Sequence, residues 1–381
     1  MQLVLGALTT AAAIGLAKRH KTAKRRKSER WQRMLQSPQH NGRVFFNNLP
    51  TPMAAPGNGG NMLHAWLRGQ EERIPESRLP VHTLRPGDLI RPPASGLRVT
   101  WLGHASALIE IDGARVLTDP VFSRRIGPTQ LVGPKRFHDN PIALSEVPRL
   151  DAVVISHDHY DHLDRLTVIE LARTGVPFIV PLGVGGRLAH WRIPETQIVE
   201  LDWWQSHTID GTTFVATPAR HFSGRSLTDR NRTLWASFAI RGPEHRVYFG
   251  GDTGMFPGFT EIGEREGPFD VTLMPIGAYN DMWKAVHINP EEAVEAHLMV
   301  RGGLLVPIHW GTFNLAFHDW FEPAERLLAA GRMAEVEVAV PRAGRPLEPG
   351  QVPALEPWWR EATGRVRAGR TDHTRIVQTP G

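Results

Sequence analysis

The sequence predicts an α/β protein, an αββα sandwich preceded by an irregular N-terminal extension. Three observations predict it. Short β-type runs begin at Leu97 and fall into two groups, each closing on helical patterns. One run, Ala152–Ile155, is continuously apolar, as a strand buried on both faces must be. Histidine and aspartate recur directly after successive runs, where strand ends of a layered α/β fold gather their functional groups.

Residues 1–35 hold an apolar stretch, Met1–Ala17, and then a basic run. Residues 36–96 are irregular, with clusters such as Asn47-Asn48-Leu49-Pro50 and Pro56-Gly57-Asn58-Gly59-Gly60 and one short helical candidate, Met62–Arg68. They read as an extension packing on a core. The core spans 97–345. Arg98–Leu102, Ala107–Ile111 and Arg115–Thr118 form a meander, the last two joined by an Asp112-Gly113 turn. After Ala152–Ile155, a helical pattern runs from His162 to Arg173, and Phe178–Val180 returns to strand. Further strands are expected at Thr213–Thr217, Leu234–Ile240, Arg246–Phe249, Val271–Met274 and Leu304–Pro307. Helices are expected at Pro290–Val300, with proline suited to the first helical position, and at Pro323–Ala330. From 346 to 381 the chain is polar and reads as a tail.

The charge is local. Lys18–Arg30 contains eight Lys/Arg against one acid, so it carries +7 of a chain total of +5 and leaves −2 for the rest. A nearly neutral body argues against a nucleic-acid partner. Met1–Ala17 is shorter than the roughly 20 residues of a comfortable membrane span and lacks a basic segment before it. Three readings stand: a short anchor, a helix on a membrane surface aided by the basic run, or an uninformative terminus. The first two place the body in the cytoplasm, at the cytoplasmic face of a membrane. The oligomeric state is not legible. There is no cysteine, which removes thiolate metal sites and cysteine nucleophiles.

The central signal is Ser156-His157-Asp158-His159-Tyr160-Asp161-His162, immediately after the buried strand. His157 and His159 are two apart, so in extended backbone they share a face. As the chain turns toward helix, Asp161 and His162 can address a second, adjacent position. Imidazole nitrogen and carboxylate oxygen suit zinc, iron or manganese. Four ligands cannot complete two metals, and partners occur at later strand ends: His221, Asp252 after Gly250-Gly251, and His309.

This His-x-His-x-Asp-His pattern followed by His, Asp and His resembles the metallo-β-lactamase superfamily. Within it, the chain resembles the N-acylphosphatidylethanolamine-hydrolysing phospholipase D group, through Thr100–Ala105, Leu117–Pro120, Gly133–Phe137, Leu201–Trp204, Leu234-Trp235, Pro275–Tyr279, His287–Ala293 and His309–Phe313. Ascorbate-phosphate lactonases are more distant relatives. The resemblance implies two zinc ions, one on His157, His159 and His221, the other on Asp161, His162 and His309, with Asp252 bridging and so catalytic. It also implies hydrolysis of a phosphodiester by water activated between the metals. It puts His287 at the mouth of the site, orienting phosphate or protonating the leaving group.

His104 and Asp119 are expected behind the ligands, orienting imidazoles, with turn chemistry as the alternative. Tyr279 and Trp310 are expected to meet substrate, among aromatics that otherwise serve the core. Lys135 and Arg136 could meet an anionic head group. Asp158 and Asp164 read as solvent-facing carboxylates, with a proton shuttle as the alternative for one of them. Competing functions are a lactonase or small phosphoester hydrolase of the same fold, a nuclease, and a membrane-tethered binding protein with a vestigial site. The leading expectation, which the resemblance implies, is a binuclear zinc hydrolase of phospholipase D type acting on N-acyl phosphatidylethanolamine-like lipids, with a small-molecule or lipid substrate as its partner.

Overall fold

A computed structural model describes residues 25–52 and 69–363. The apolar stretch Met1–Ala17, most of the basic run, and the helical candidate Met62–Arg68 lie outside the described residues.

Two seven-stranded sheets face each other across the main core, in which Trp101, Phe214, Phe238, Phe249 and Trp235 are fully enclosed. The first sheet has the order β14-β1-β2-β3-β4-β5-β6, from β1 (Leu97–Gly103), β2 (Ser106–Ile111), β3 (Ala114–Thr118), β4 (Ala152–Val154), β5 (Phe178–Pro181), β6 (Ile198–Leu201) and β14 (Pro346–Leu347). The second has the order β13-β12-β11-β10-β9-β8-β7, from β7 (Ser206–Ile209), β8 (Thr212–Thr217), β9 (Ser237–Arg241), β10 (Arg246–Phe249), β11 (Phe269–Pro275), β12 (Gly302–Ile308) and β13 (Glu337–Val338). Each sheet pairs antiparallel at one side and parallel at the other. Parallel neighbours need helical crossovers, which cover the outer faces. Helices Arg165–Ala172 and Val184–His190 supply them on one side, and Gly258–Glu266, Pro290–Met299 and Glu322–Met333 on the other. The αββα sandwich is therefore the observed fold.

Parallel pairing also explains where function sits. β3, β4 and β5 run together, as do β10, β11 and β12, so their carboxyl ends emerge on one edge. Asp119, Ser156, Asp252 and His309 follow those ends directly.

Several expectations need correction. The helix after the histidine cluster starts at Arg165, with Asp164 accepting from Leu166 N, so His162 lies in a turn. Leu234–Ala236 is not strand: Leu234 N donates to Leu182 O and Ala236 N to Ser156 O, tying the second half of the chain to the first. The polar tail begins later than 346. Leu347 pairs with Val99 at the sheet edge, and Trp358 and Trp359 are buried against Trp310. Two tryptophans outweigh the polar residues around them, because each buries a large apolar area.

Among the described residues, no helix is long and apolar enough to cross a membrane.

Candidate metal centre

The site is assembled at the edge where the two sheets' parallel strands end. β4 delivers Ser156–His162, and the neighbouring β3 delivers Asp119, which is fully buried. Asp119 Oδ1 accepts from Ser156 N at 2.7 Å, and Oδ2 accepts from Ser156 Oγ at 2.5 Å and lies 2.6 Å from His162 Nδ1. A carboxylate on Nδ1 holds the proton there and leaves the Nε2 lone pair for a cation.

His157, His159, His221 and Asp252 bring one ligand atom each within 4.8 Å of one another, and so do His104, Asp161, His162 and His309. Asp252 spans the two groups. Its Oδ2 is 3.1 Å from His162 Nε2, 3.7 Å from His221 Nε2 and 3.9 Å from His157 Nε2, while its Oδ1 is 3.1 Å from His309 Nε2. Asp161 Oδ2 stands 3.4 Å from both His162 Nε2 and His309 Nε2. All seven predicted ligands converge. Asp252 reaches this point because Gly251, at φ +57°, lets the backbone pass where a Cβ would lie 2.7 Å from Ser156 Cβ.

The donor set fits cations. His162 Nε2, His309 Nε2 and Asp252 Oδ1 are buried without a hydrogen-bond partner. Buried polar atoms are rarely left so, and a metal would satisfy all three. The electrostatics agree. Burial alone would raise the carboxyl of Asp252, yet His162 and His309 hold it well below the usual range, and His162 does the same for Asp161. Against burial, Asp252 and Asp161 lift His309 to about 9. Burial first, then neighbouring histidines, depresses His157 and His221 well below the usual value, so they are neutral and able to ligate.

His104 belongs to the second group: its Nε2 is 3.0 Å from Asp161 Oδ2 and its ring lies 4.1 Å from that of His309. Burial, with His309, lowers it to about 3. Its carbonyl accepts from His309 N at 2.9 Å and from Trp101 Nε1 at 2.8 Å.

A cavity of about 290 Å³ opens onto His159, Asp161, Asp252, His287 and His309, with Phe222, Trp283, Val286 and Leu315 as apolar walls. Tyr279 and Trp310, expected to meet substrate, do not line it. The positive φ of Ala278 turns Tyr279 aside, and its hydroxyl donates to Glu322 Oε1 at 2.9 Å. His309 also has positive φ, and Trp310 stacks on Trp101 at 5.6 Å. Lys135 is exposed, but Arg136 is buried, lies over Phe313 and donates to Val121 O, so it is no surface head-group contact.

Sequence reasoning missed the frame of the histidine turn. Asp158 is fully buried, pairing with Arg187 at 3.1 Å and accepting from Gly224 N at 2.7 Å, not facing solvent. Asp164 is buried too, accepting from Ser123 N and Thr167 Oγ1. Arg225 fixes the turn from outside. Its Nη1 donates to the carbonyls of Asp158 and Leu163 at 2.8 Å, and its guanidinium stacks on Tyr160 at 3.9 Å. A lone arginine in a polar loop carries no local signal of this.

Residues 114–310 match the family model described as beta-lactamase superfamily domain, which is more than half of the chain. The chain belongs to the metallo-β-lactamase superfamily. Within that superfamily it is a metal-dependent hydrolase. An uncharacterized protein of Mycobacterium tuberculosis is 52% identical over 329 residues, covering 85% of this chain and 88% of its own length. The N-acyl-phosphatidylethanolamine-hydrolyzing phospholipase D 1 of Caenorhabditis elegans is 37% identical, covering 76% of this chain and 87% of its own. Among solved structures, a novel metallo hydrolase of the archaeon Ignicoccus hospitalis superposes with a TM-score of 0.50 at 25% identity, over 66% of this chain and 97% of that one.

Proposed function

We propose that this superfamily member is a binuclear hydrolase, holding two zinc ions, that cleaves phosphodiesters of N-acyl phosphatidylethanolamine-like lipids in the manner of a phospholipase D. The observation that carries the reading is Asp252, whose carboxylate lies between the two histidine groups at the floor of an apolar-walled cavity, with Oδ2 near His162, His221 and His157 and Oδ1 near His309. The 37% identity with the nematode phospholipase D supports the substrate class. His157, His159 and His221 would hold one ion, Asp161, His162 and His309 the other, with Asp252 between them. Iron or manganese would suit the same donors.

When bound, the metals supply a water of lowered pKa and Lewis acidity toward the phosphoryl oxygens. The chain supplies the rest. Asp119 and His104 hold His162 and Asp161 in place for it. Phe222, Trp283, Val286 and Leu315 shield the reacting centre from bulk water and offer contact to an acyl amide chain. His287 lines the cavity with Nδ1 buried and unpartnered, 4.0 Å from Asp252 Oδ2. Burial lowers its pKa to about 4, so it rests as a neutral imidazole, placed to orient the phosphate or to give its single ring proton to the leaving oxygen. His287→Ala should lower kcat by about 100-fold or more with metal content unchanged. Metal lost along with activity would refute the assignment.

The cavity volume favours a second reading. About 290 Å³ accommodates a head group but not two acyl chains, which a lipid would have to lay outside it. A lactonase or small phosphoester hydrolase fits the cavity unaided. Metal analysis with a panel of N-acyl phospholipid, lactone and simple phosphodiester separates the two. Turnover of the phospholipid alone supports the first; turnover of the small substrates alone overturns it. Contact with a cytoplasmic membrane surface through residues 1–17 belongs to the lipid reading.

A further inference from the structure

We infer that Asn47, in the N-terminal extension, is a positioning residue for His221, which makes the extension a working part of the metal centre. The inference rests on His221 being a metal ligand.

His221 is the one predicted ligand carried by a long loop. It lies beyond the end of β8 at Thr217, and neither its N–H nor its carbonyl joins a backbone hydrogen bond among the described residues. One side chain serves both. Asn47 Nδ2 donates to His221 O at 2.7 Å, and Asn47 Oδ1 accepts from His221 N at 3.2 Å. The same Oδ1 accepts from the buried indole Trp235 Nε1 at 3.1 Å, which fixes the amide's orientation. A carboxamide is the group for this task, since it offers a donor and an acceptor side by side.

The extension is held where the clamp needs it. Phe45 is fully buried and its N–H donates to Asn231 O at 2.8 Å. On the far side of Asn47, Arg220 Nη2 donates to Pro50 O at 2.6 Å, while Arg220 N donates to Thr253 Oγ1, beside Asp252. The ring of His221 is fixed separately: Nδ1 donates to Val286 O at 2.9 Å, leaving Nε2 toward Asp252. Gly254 admits that loop, for a Cβ there would lie 2.0 Å from Ala285 O. With Asn47 on the backbone and Val286 on the ring, both the main chain and the side chain of His221 are held. The hydrogen bonds of the histidine turn 157–162 do not include Asn47, so among the proposed ligands its direct hold is on His221.

Cobalt(II) titration of the metal-free full chain, read by visible absorption, tests this. His221→Ala identifies which binding step belongs to His221. Asn47→Ala is expected to weaken that step by about 10–100-fold and leave the other unchanged. Asn47→Asp keeps the shape but sets a carboxylate oxygen against His221 O, and should weaken the same step at least as much. Two unchanged steps overturn the inference. So does parallel weakening of both with a lower melting temperature of the metal-free variant, which would mark a purely structural role. A native chain that takes up no cobalt would overturn the metal reading itself and the inference with it.

Discussion

Asp252→Ala is expected to release bound metal and lower kcat/KM by at least about 1,000-fold, the scale on which loss of a single charge-stabilising group acts at a transition state. The native carboxylate reaches both histidine groups: His162 and His309 stand 3.1 Å from its two oxygens, His157 and His221 3.9 and 3.7 Å from one of them. Alanine would leave Asp161 as the only predicted carboxylate ligand. It would also reverse an electrostatic balance. Asp252 is the largest influence raising His309 toward its value of about 9, against burial. Without that carboxylate His309 falls, and two cations would meet a single buried carboxylate, Asp161, which repays less of their desolvation. Asp252→Asn retains shape and one acceptor oxygen but no charge, and should fall between native and alanine. Elemental metal analysis alongside kcat/KM checks the result. An Asp252→Ala protein that keeps its full metal complement overturns the bridging assignment.

What the sequence made legible was whatever is local. Three histidines and an aspartate within six residues, just after the apolar run at Ala152–Ile155, form a pattern that one short segment can display. His221, Asp252 and His309 were legible because each follows a strand that reads as a strand. The rest depends on contacts between distant parts of the chain. Asn47 lies 174 residues from the histidine it serves, and Asn-Asn-Leu-Pro reads as turn chemistry and nothing more. Asp158 looked solvent-facing because Arg187 and Gly224 cannot be placed beside it from sequence. Helix Val184–His190 carries two glycines, against its intrinsic propensity, and is stabilised by packing of Val184 and Leu188. β7 is mostly exposed at a sheet edge, so its Ser-His-Thr-Ile sequence shows no apolar alternation. Tyr279 and Trp310 were misplaced by a subtler cause. The left-handed backbone at Ala278 and His309 reverses the direction of the next side chain, and neither residue type announces that conformation.

Trp359→Ala should cost about 3–5 kcal/mol of folding stability, the range for truncating a buried aromatic to alanine, although the residue sits in what composition marks as a polar tail. Trp359 is fully buried. It meets Trp310 edge-on at 5.7 Å, and Trp310 in turn stacks on Trp101 with an interplanar angle of 2°. Its Nε1 donates to Glu325 Oε1 at 2.7 Å, and the adjacent Arg360 binds the same carboxylate through Nε and Nη2 at 2.6 Å. The tryptophan thus closes the gap between the first sheet, the helix Glu322–Met333 and the loop after β12. The effect should reach the metal centre, because Trp310 immediately follows His309. A void beside Trp310 frees the loop to relax, which loosens His309 more than the histidines on the β4 turn. Urea unfolding of the metal-free chain measures the stability, and metal release to a chelator measures the coupling. Trp359→Phe keeps most of the apolar volume and loses the indole donor to Glu325, so it should cost only about 1 kcal/mol. An alanine variant that unfolds at the native midpoint would return residues 346–362 to the role of tail. One that is destabilised but releases metal at the native rate would confine the tryptophan cluster to the core.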